Sequence, residues 1–295
     1  MQLSTFDANC RLNRHLKLRS GEPHTAEDLL GEMDHFGISE SLVVDSLSRE
    51  NHPDDGNHRI IETTRGHPRL HPAWSVVPTG PPDEQPEPEE LVRSMRENKV
   101  GAIFLYPRQY RFGLLDWEVD AFLKPLSEVG VPVFVDYGEI GGIEPPWDET
   151  DWGEVVGLCR RLPDLELIVG EKRFRRSNRT IYRALDACES LHIEISGYWL
   201  HKGIEYITRN WGSGRLVFGS NWPRWGQGCT LASLMCADID REDKERIAGG
   251  NLRELLSWCG LVHPEVALPP PADEYIAMGS GMKPPGEMRF MDCHG

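Results

Sequence analysis

Residues 131–138 read VPVFVDYG. Val131, Val133, Phe134 and Val135 are apolar on both parities, and the polar residues begin only at Asp136. A strand apolar on both faces is buried on both, which is the condition of a parallel sheet covered by helices. The same shape recurs in both directions along the chain. Upstream lie LSTFDAN (3–9), SLVVD (41–45), HPAWSVV (71–77) and VGAIFLY (100–106); downstream lie LELIVG (165–170), LHIEIS (191–196) and RLVFGS (215–220). Each is followed by a helical pattern: TAEDLLGEMDHFG (25–37), then 59–65, 91–98, 117–129, 152–161, 178–188, 201–210 and 231–237, with a closing helix over 241–258. Leu29, Leu30, Met33 and Phe36 share one helical face. Thr25 with Asp28 predicts a capping box, and Gly37 predicts the stop.

Eight strand–helix units in 295 residues predict an α/β fold, a (β/α)8 TIM barrel over residues 1–263, rather than an open doubly wound sheet. No glycine fingerprint follows the first strand, which argues against a dinucleotide site. From Pro264 the composition turns to Pro and Gly without periodicity, so residues 264–295 read as an extended C-terminal arm.

Asp and Glu outnumber Lys and Arg 47 to 32, a formal net charge of −15. Such a field repels nucleic acid and anionic membrane surfaces, so neither is an expected partner. The seven cysteines are scattered and form no C-x-x-C pair, as expected of reduced thiols in a cytoplasmic protein. No stretch is apolar enough for a signal core or a membrane span.

In a barrel, chemistry sits where strands end. Those positions carry Asn9 and Arg11, Tyr106 and Arg108, Asp136, Glu171 and Lys172, and the segment GSNWP (219–223). Taken with FDANCRL (6–12), LELIVGEK (165–172) and IAGGNLRELL (247–256), their order and spacing over residues 3–258 resemble the metal-dependent amidohydrolase superfamily. The likeness is to its branch of small-acid decarboxylases and lactone hydrolases. The resemblance implies Asp-x-His-x-His at the first strand, a histidine at the ends of strands five and six, and an aspartate after strand eight. This chain has Asn9 and Arg11, Asp136, Glu171 and Asn221 there instead. Asn is a poor zinc ligand and Arg is none, so no metal and no other cofactor is expected.

The replacements point to charge compensation: Arg11, with Lys172 or Arg108, neutralising Asp136 and Glu171 in a buried network. Tyr106, Arg108, Lys172 and Trp222 are the candidate substrate-binding residues. Two functions follow. One is a non-catalytic or regulatory subunit, a pseudoenzyme in a heteromeric complex with a metal-bearing homologue, or else a homo-oligomer. The alternative is a metal-independent hydrolase, lactonase or decarboxylase acting on a small carboxylate, with Asp136 or Glu171 as base and Arg11 holding the carboxylate. His52, His58, His67 and His71 read as surface or core residues, and His15 and His24 as bystanders. The tail MRFMDCHG (288–295) repeats the look of a first strand, and Asp292, Cys293 and His294 are candidates for contact with a partner. Chance similarity and a truncated tandem are the other readings of that tail.

Overall fold

In the computed structural model the chain is described over residues 3–16, 18, 20–81, 85–138, 150–170, 174–261 and 263–264. Glu171, Lys172, Asp292, Cys293, His294 and the arm from residue 265 onward lie outside the described residues. The strands are β1 (Phe6–Leu12), β2 (Glu40–Asp45), β3 (Leu70–Pro72), β4 (Trp74–Ser75), β5 (Ile103–Leu105), β6 (Val133–Asp136), β7 (Leu167–Gly170), β8 (Leu191–Glu194) and β9 (Leu216–Val217). All paired neighbours are parallel, in the order β1-β2-β3 and β4-β5-β6-β7-β8-β9.

The two ladders join into one ring. The predicted third strand is split at Ala73, where it changes partner: Ala73 N–H donates to Val43 O at 2.8 Å and Trp74 N–H to Ala102 O at 3.1 Å. On the other side Ala8 N–H donates to Phe218 O and Arg11 N–H to Trp222 O, both at 2.9 Å. This closes the eight-stranded barrel that the apolar runs predict.

Two packed layers follow from strand alternation. Phe6, Ala8, Leu42, Val44, Ala102, Phe104, Tyr106, Phe134, Ile168 and Val217 fill the barrel interior. Their neighbours Val43, Ile103, Leu105, Val133, Val135, Leu167, Val169 and Ile193 pack outward beneath the helices. Phe104 stacks on Phe134 with ring centroids 4.5 Å apart. The register of β1 shifts between Asp7 and Cys10. Ahead of that bulge Phe6 and Ala8 face inward; beyond it Cys10 and Leu12 pack outward. The extra residue thus turns the parity of the strand, which re-aims Asn9 and Arg11 at the mouth.

The helix Ala26–Phe36 has the predicted capping box, with Thr25 Oγ1 and the Asp28 carboxylate each accepting from the other's backbone, and Gly37 closes it in the left-handed conformation at φ 72°. Thr25→Ala is expected to cost about 1 kcal/mol, read as a small drop in denaturant midpoint at unchanged slope. Two elements differ from expectation. The helix predicted from Arg59 starts at Pro53, capped by His52 and opened by proline at its first position. The segment predicted as one helix over 241–258 breaks into Arg241–Glu245, a π turn Arg246–Gly250, Asn251–Leu255 and a 3-10 turn Leu256–Cys259. The glycine pair admits the wider turn. It also brings Asn251 Nδ2 within 2.8 Å of the Ser213 and Leu216 carbonyls, tying this segment to β9.

Candidate active site

The mouth at the C-terminal ends of the strands gathers polar groups from six of them. The short helix Ser46–Glu50, not expected from the sequence, places the first. Asp45, the last residue of β2, caps it by accepting from Leu47 N–H at 2.7 Å. Arg59 and Asn13 also bind the Asp45 carboxylate, through Arg59 Nε at 2.7 Å and Asn13 Nδ2 at 2.6 Å. So anchored, the helix carries Arg49, which is buried. The Arg49 guanidinium lies 3.9 Å from Asp136 Oδ2 and 5.3 Å from the Tyr106 ring centroid.

Among the described residues the ion pair to Asp136 comes from Arg49 and not from Arg11, which still feels the Asp136 charge; the expected pairing with Glu171 lies outside the described residues. Arg11 is buried at the same mouth, and its Nε has no hydrogen-bond partner among the described residues. Burial, with Arg49 as a like charge, holds the Arg11 guanidinium down to about 10; Tyr106, Asp136 and Glu50 offset this in part. Arg224 feels the same field: burial and then Arg49 lower it, while Asp136 raises it. The mouth of an acidic protein is thus locally cationic.

Asn221 follows β9 in the left-handed region at φ 59°, a conformation that asparagine tolerates better than most residues. It is buried, and neither its Oδ1 nor its Nδ2 has a hydrogen-bond partner among the described residues. Asn9 is satisfied: its Nδ2 donates to Glu194 Oε2 at 3.1 Å. Tyr106 is buried and stacks near Phe104, and burial pushes its phenol well above the usual range. Arg108 lies over the Tyr137 ring at 5.8 Å. Trp222 is not available to a ligand. It is 1% exposed, packs in the layer under the helices and donates Nε1–H to Glu32 Oε2 at 2.8 Å, so the candidate substrate contact is a structural tie.

Glu194, at the end of β8, was not among the sequence candidates. It is 1% exposed. Its Oε2 accepts from Asn9 Nδ2 and, at 2.8 Å, from Ser196 Oγ; its Oε1 accepts from Ser196 N–H at 2.5 Å. Burial outweighs these donors and pushes the carboxyl up to about 7, with Asp7 adding a like charge. Asp7 is also buried, and ties β1 to the segment that follows its neighbour β9 through Ser220 N–H at 2.9 Å and Gln227 Nε2 at 2.8 Å. The sequence signal for Glu194 is LHIEIS, a single acid at the end of an apolar run.

The resemblance implies a divalent ion at this mouth, and the described residues there do not fit one. Asp136 already faces Arg49, Asn9 spends its amide on Glu194, and Arg11 and Arg49 are buried cations. A guanidinium about 5 Å from a divalent ion repels it by roughly 7 kcal/mol at an effective dielectric of 20.

At the opposite end of the barrel, among the described residues, Glu40, His71 and His263 form the one group of three such side chains whose ligand atoms lie within 4.8 Å of one another. Glu40 Oε2 accepts from His71 Nε2 and His263 Nδ1, each at 2.8 Å. Its Oε1 accepts from Arg253 Nε at 3.0 Å and Nη2 at 2.7 Å. The carboxylate is saturated, and the arginine opposes a cation here as at the mouth. Burial raises the Glu40 carboxyl, but the four donors prevail and hold it down at about 2. His71 is thus a core residue, as expected, with a partner that sequence spacing did not reveal.

No helix among the described residues is long and apolar enough to cross a membrane. Six of the cysteines are described, and all six are free thiols.

A search of curated proteins gives no match to this sequence. Solved structures do match in fold. 5-Carboxyvanillate decarboxylase from Novosphingobium aromaticivorans, complexed with manganese and a nitrobenzoic acid, superposes with a TM-score of 0.69 at 13% identity, over 86% of this chain and 96% of that one. 2,6-Dihydroxybenzoate decarboxylase from Rhizobium gives 0.64 at 16% identity, over 88% and 100%. A probable 2-pyrone-4,6-dicarboxylic acid hydrolase from Acinetobacter baumannii, with citric acid bound, gives 0.61 at 14% identity, over 86% and 99%. The amidohydrolase family model matches residues 22–258. With that match spanning most of a closed parallel barrel, the chain belongs to the amidohydrolase family.

Proposed function

We propose that this chain is a metal-independent enzyme that decarboxylates or hydrolyses a small carboxylate held at the barrel mouth. The observation that carries this reading is the set of buried polar atoms left without a partner among the described residues there: Arg11 Nε, Asn221 Nδ2 and Asn221 Oδ1. Each buried unpaired group costs about 1–3 kcal/mol. A barrel that had lost its site and drifted has no reason to keep them; a barrel that binds a ligand satisfies them when the ligand arrives. Arg11 N–H bonds to the carbonyl of Trp222, one residue beyond Asn221, so the two side chains spring from adjacent backbone. Arg11 supplies a charge-assisted donor for a carboxylate, and Asn221 supplies one donor and one acceptor for a substituent beside it. The fold neighbours named above act on ring carboxylates, which supports the same substrate class. The reading as a non-catalytic subunit has no observation of this kind behind it.

The test is calorimetric titration with citrate and 2,6-dihydroxybenzoate, followed by turnover assays with and without chelator. At least one of these ligands is expected to bind, turnover is expected to survive chelation, and Arg11→Met is expected to weaken binding about tenfold or more. Because Arg11 faces Arg49, the same variant is expected to keep its stability within about 1 kcal/mol. Absence of both binding and turnover across a panel of small carboxylates overturns the proposal.

A further inference from the structure

We infer, on the reading of the mouth just given, that Glu194 is the proton-transfer residue of this site, a catalytic acid on the seventh barrel strand.

Position supports this first. Glu194 is the last residue of β8 and pairs in register with Gly170, the last residue of β7. By alternation it points to the same side of the barrel wall as Phe134 and Asp136 of β6 and Ile168 and Gly170 of β7. It therefore belongs to the layer that lines the mouth, together with Tyr106 and Asp136.

A built niche supports it next. A Cβ on Gly219 would overlap the Glu194 carboxyl group, closer than real Cβ contacts come, and a Cβ on Gly170 would sit 3.1 Å from Glu194 Oε2. Both flanking positions are glycine, and the carboxyl occupies the room they leave.

The absence of a counter-charge among the described residues supports it as well. The Glu194 side chain is held by Asn9 and by the backbone N–H and hydroxyl of Ser196. No Lys, Arg or His among the described residues pairs with it, and Asp7 adds a like charge. Asp136, in the same layer, faces the Arg49 guanidinium. Two carboxyl groups of one mouth are thus placed in opposite environments, the arrangement by which active sites separate an acid from an ionised partner. The niche accepts both protonation states of Glu194. Ionised, it takes three hydrogen bonds; protonated, it donates to the Ser196 hydroxyl, which rotates to accept.

The chemistry balances without a further reactant. In a decarboxylation the bond from the substrate carbon to its carboxylate breaks, carbon dioxide leaves, and the electron pair stays on the carbon. The O–H bond of Glu194 breaks heterolytically, its proton forms the new C–H bond, and Glu194, left as carboxylate, regains a proton from solvent. Asn221 holds the neighbouring substituent throughout, and Arg11, which binds the carboxylate until its bond to carbon breaks, takes no proton.

The test uses the full chain. With glutamate carboxyl carbons labelled, NMR is expected to show one resonance, missing in Glu194→Gln, that titrates near neutrality. A Glu194 resonance ionised throughout pH 5 to 8 overturns the inference. With 2,6-dihydroxybenzoate as probe, carbon dioxide release by Glu194→Gln is expected to fall about a hundredfold or more in kcat, with KM within about twofold. Retention of wild-type kcat within about threefold overturns it. Gly219→Ala keeps the carboxyl but crowds its niche, and is expected to move both the NMR midpoint and the pH profile of kcat; movement of neither counts against the niche. If the wild-type chain turns over no carboxylate, the proposed function fails, and the titration alone then decides whether Glu194 is an acid held ready at neutral pH.

Discussion

Glu40→Ala is expected to cost about 3–5 kcal/mol of folding stability, the largest loss foreseen for a single side chain in this protein. Glu40 is 2% exposed and accepts from His71, His263 and twice from Arg253. Removing it leaves a guanidinium and two imidazoles without their shared acceptor at the base of the barrel, where Phe6 packs 5.1 Å from His71 and 5.9 Å from His263. The clasp joins β2, β3, the segment Asn251–Leu255 and the residue that leads into the arm. For a chain of this size the loss corresponds to a fall in Tm of about 6–15 °C. Since the folded-state carboxyl is held down at about 2 from its ordinary 4.5, the stabilisation is fully present above pH 4.5 and disappears as pH falls toward 2. Thermal melts from pH 7 to pH 2 are expected to converge for wild type and variant at the acid end. A variant that melts within about 2 °C of wild type at pH 7 shows the clasp to be dispensable.

Glu194→Gln is expected to do the reverse and stabilise the fold at pH 8. The folded carboxyl is raised to about 7 from 4.5, so between these values the folded chain binds a proton that the unfolded chain does not. Stability therefore falls as pH rises from 4.5 to 7 and then levels. At 1.36 kcal/mol per pH unit the full penalty is at most roughly 3 kcal/mol. Glutamine keeps the shape and the neutral state and removes the penalty. The difference in unfolding free energy between variant and wild type should be near zero at pH 4.5 and reach up to about 3 kcal/mol in the variant's favour at pH 8. This comparison also cancels the repulsion of a chain with net charge −15, which changes both proteins alike. A variant destabilised equally at both pH values would mean that Glu194 is an ordinary ionised carboxylate, held by its hydrogen bonds. A stabilising loss of a buried carboxyl at a mouth that also leaves Asn221 without a partner among the described residues is the pattern of a site held for chemistry at the expense of stability.

Much of this was legible in the residues. Continuous apolar runs at eight places, each with a helix after it, specify strands covered on both faces, and VPVFVDYG specifies its strand and the position of Asp136 together. Thr25, Asp28 and Gly37 specify both ends of one helix, because caps act within four residues. The positions that depart from the resembled family, Asn9, Arg11, Asp136 and Asn221, all lie at or beside the mouth, and Glu171 falls outside the described residues.

What sequence reading missed has one physical cause: it concerns partners distant in the chain. Arg49 pairs with Asp136, 87 positions away, only because Asp45 caps an unexpected short helix. Trp222 reads as a loop aromatic beside the site, yet the Glu32 carboxylate takes its indole N–H into the layer beneath the helices. The bulge in β1 turns Asn9 and Arg11 inward, and a one-residue shift of parity has no signature in composition. The sequence by itself determined the strands, the caps, the closed barrel and which residues end its strands, since periodicity and capping are local. Only the tertiary structure decided that Arg49 pairs with Asp136, that Asn221 is buried without a partner among the described residues, and that Glu194 sits between two glycines with no cation paired to it among the described residues. Charge compensation and desolvation depend on what lies within a few ångströms in space, and the folded barrel alone sets those distances.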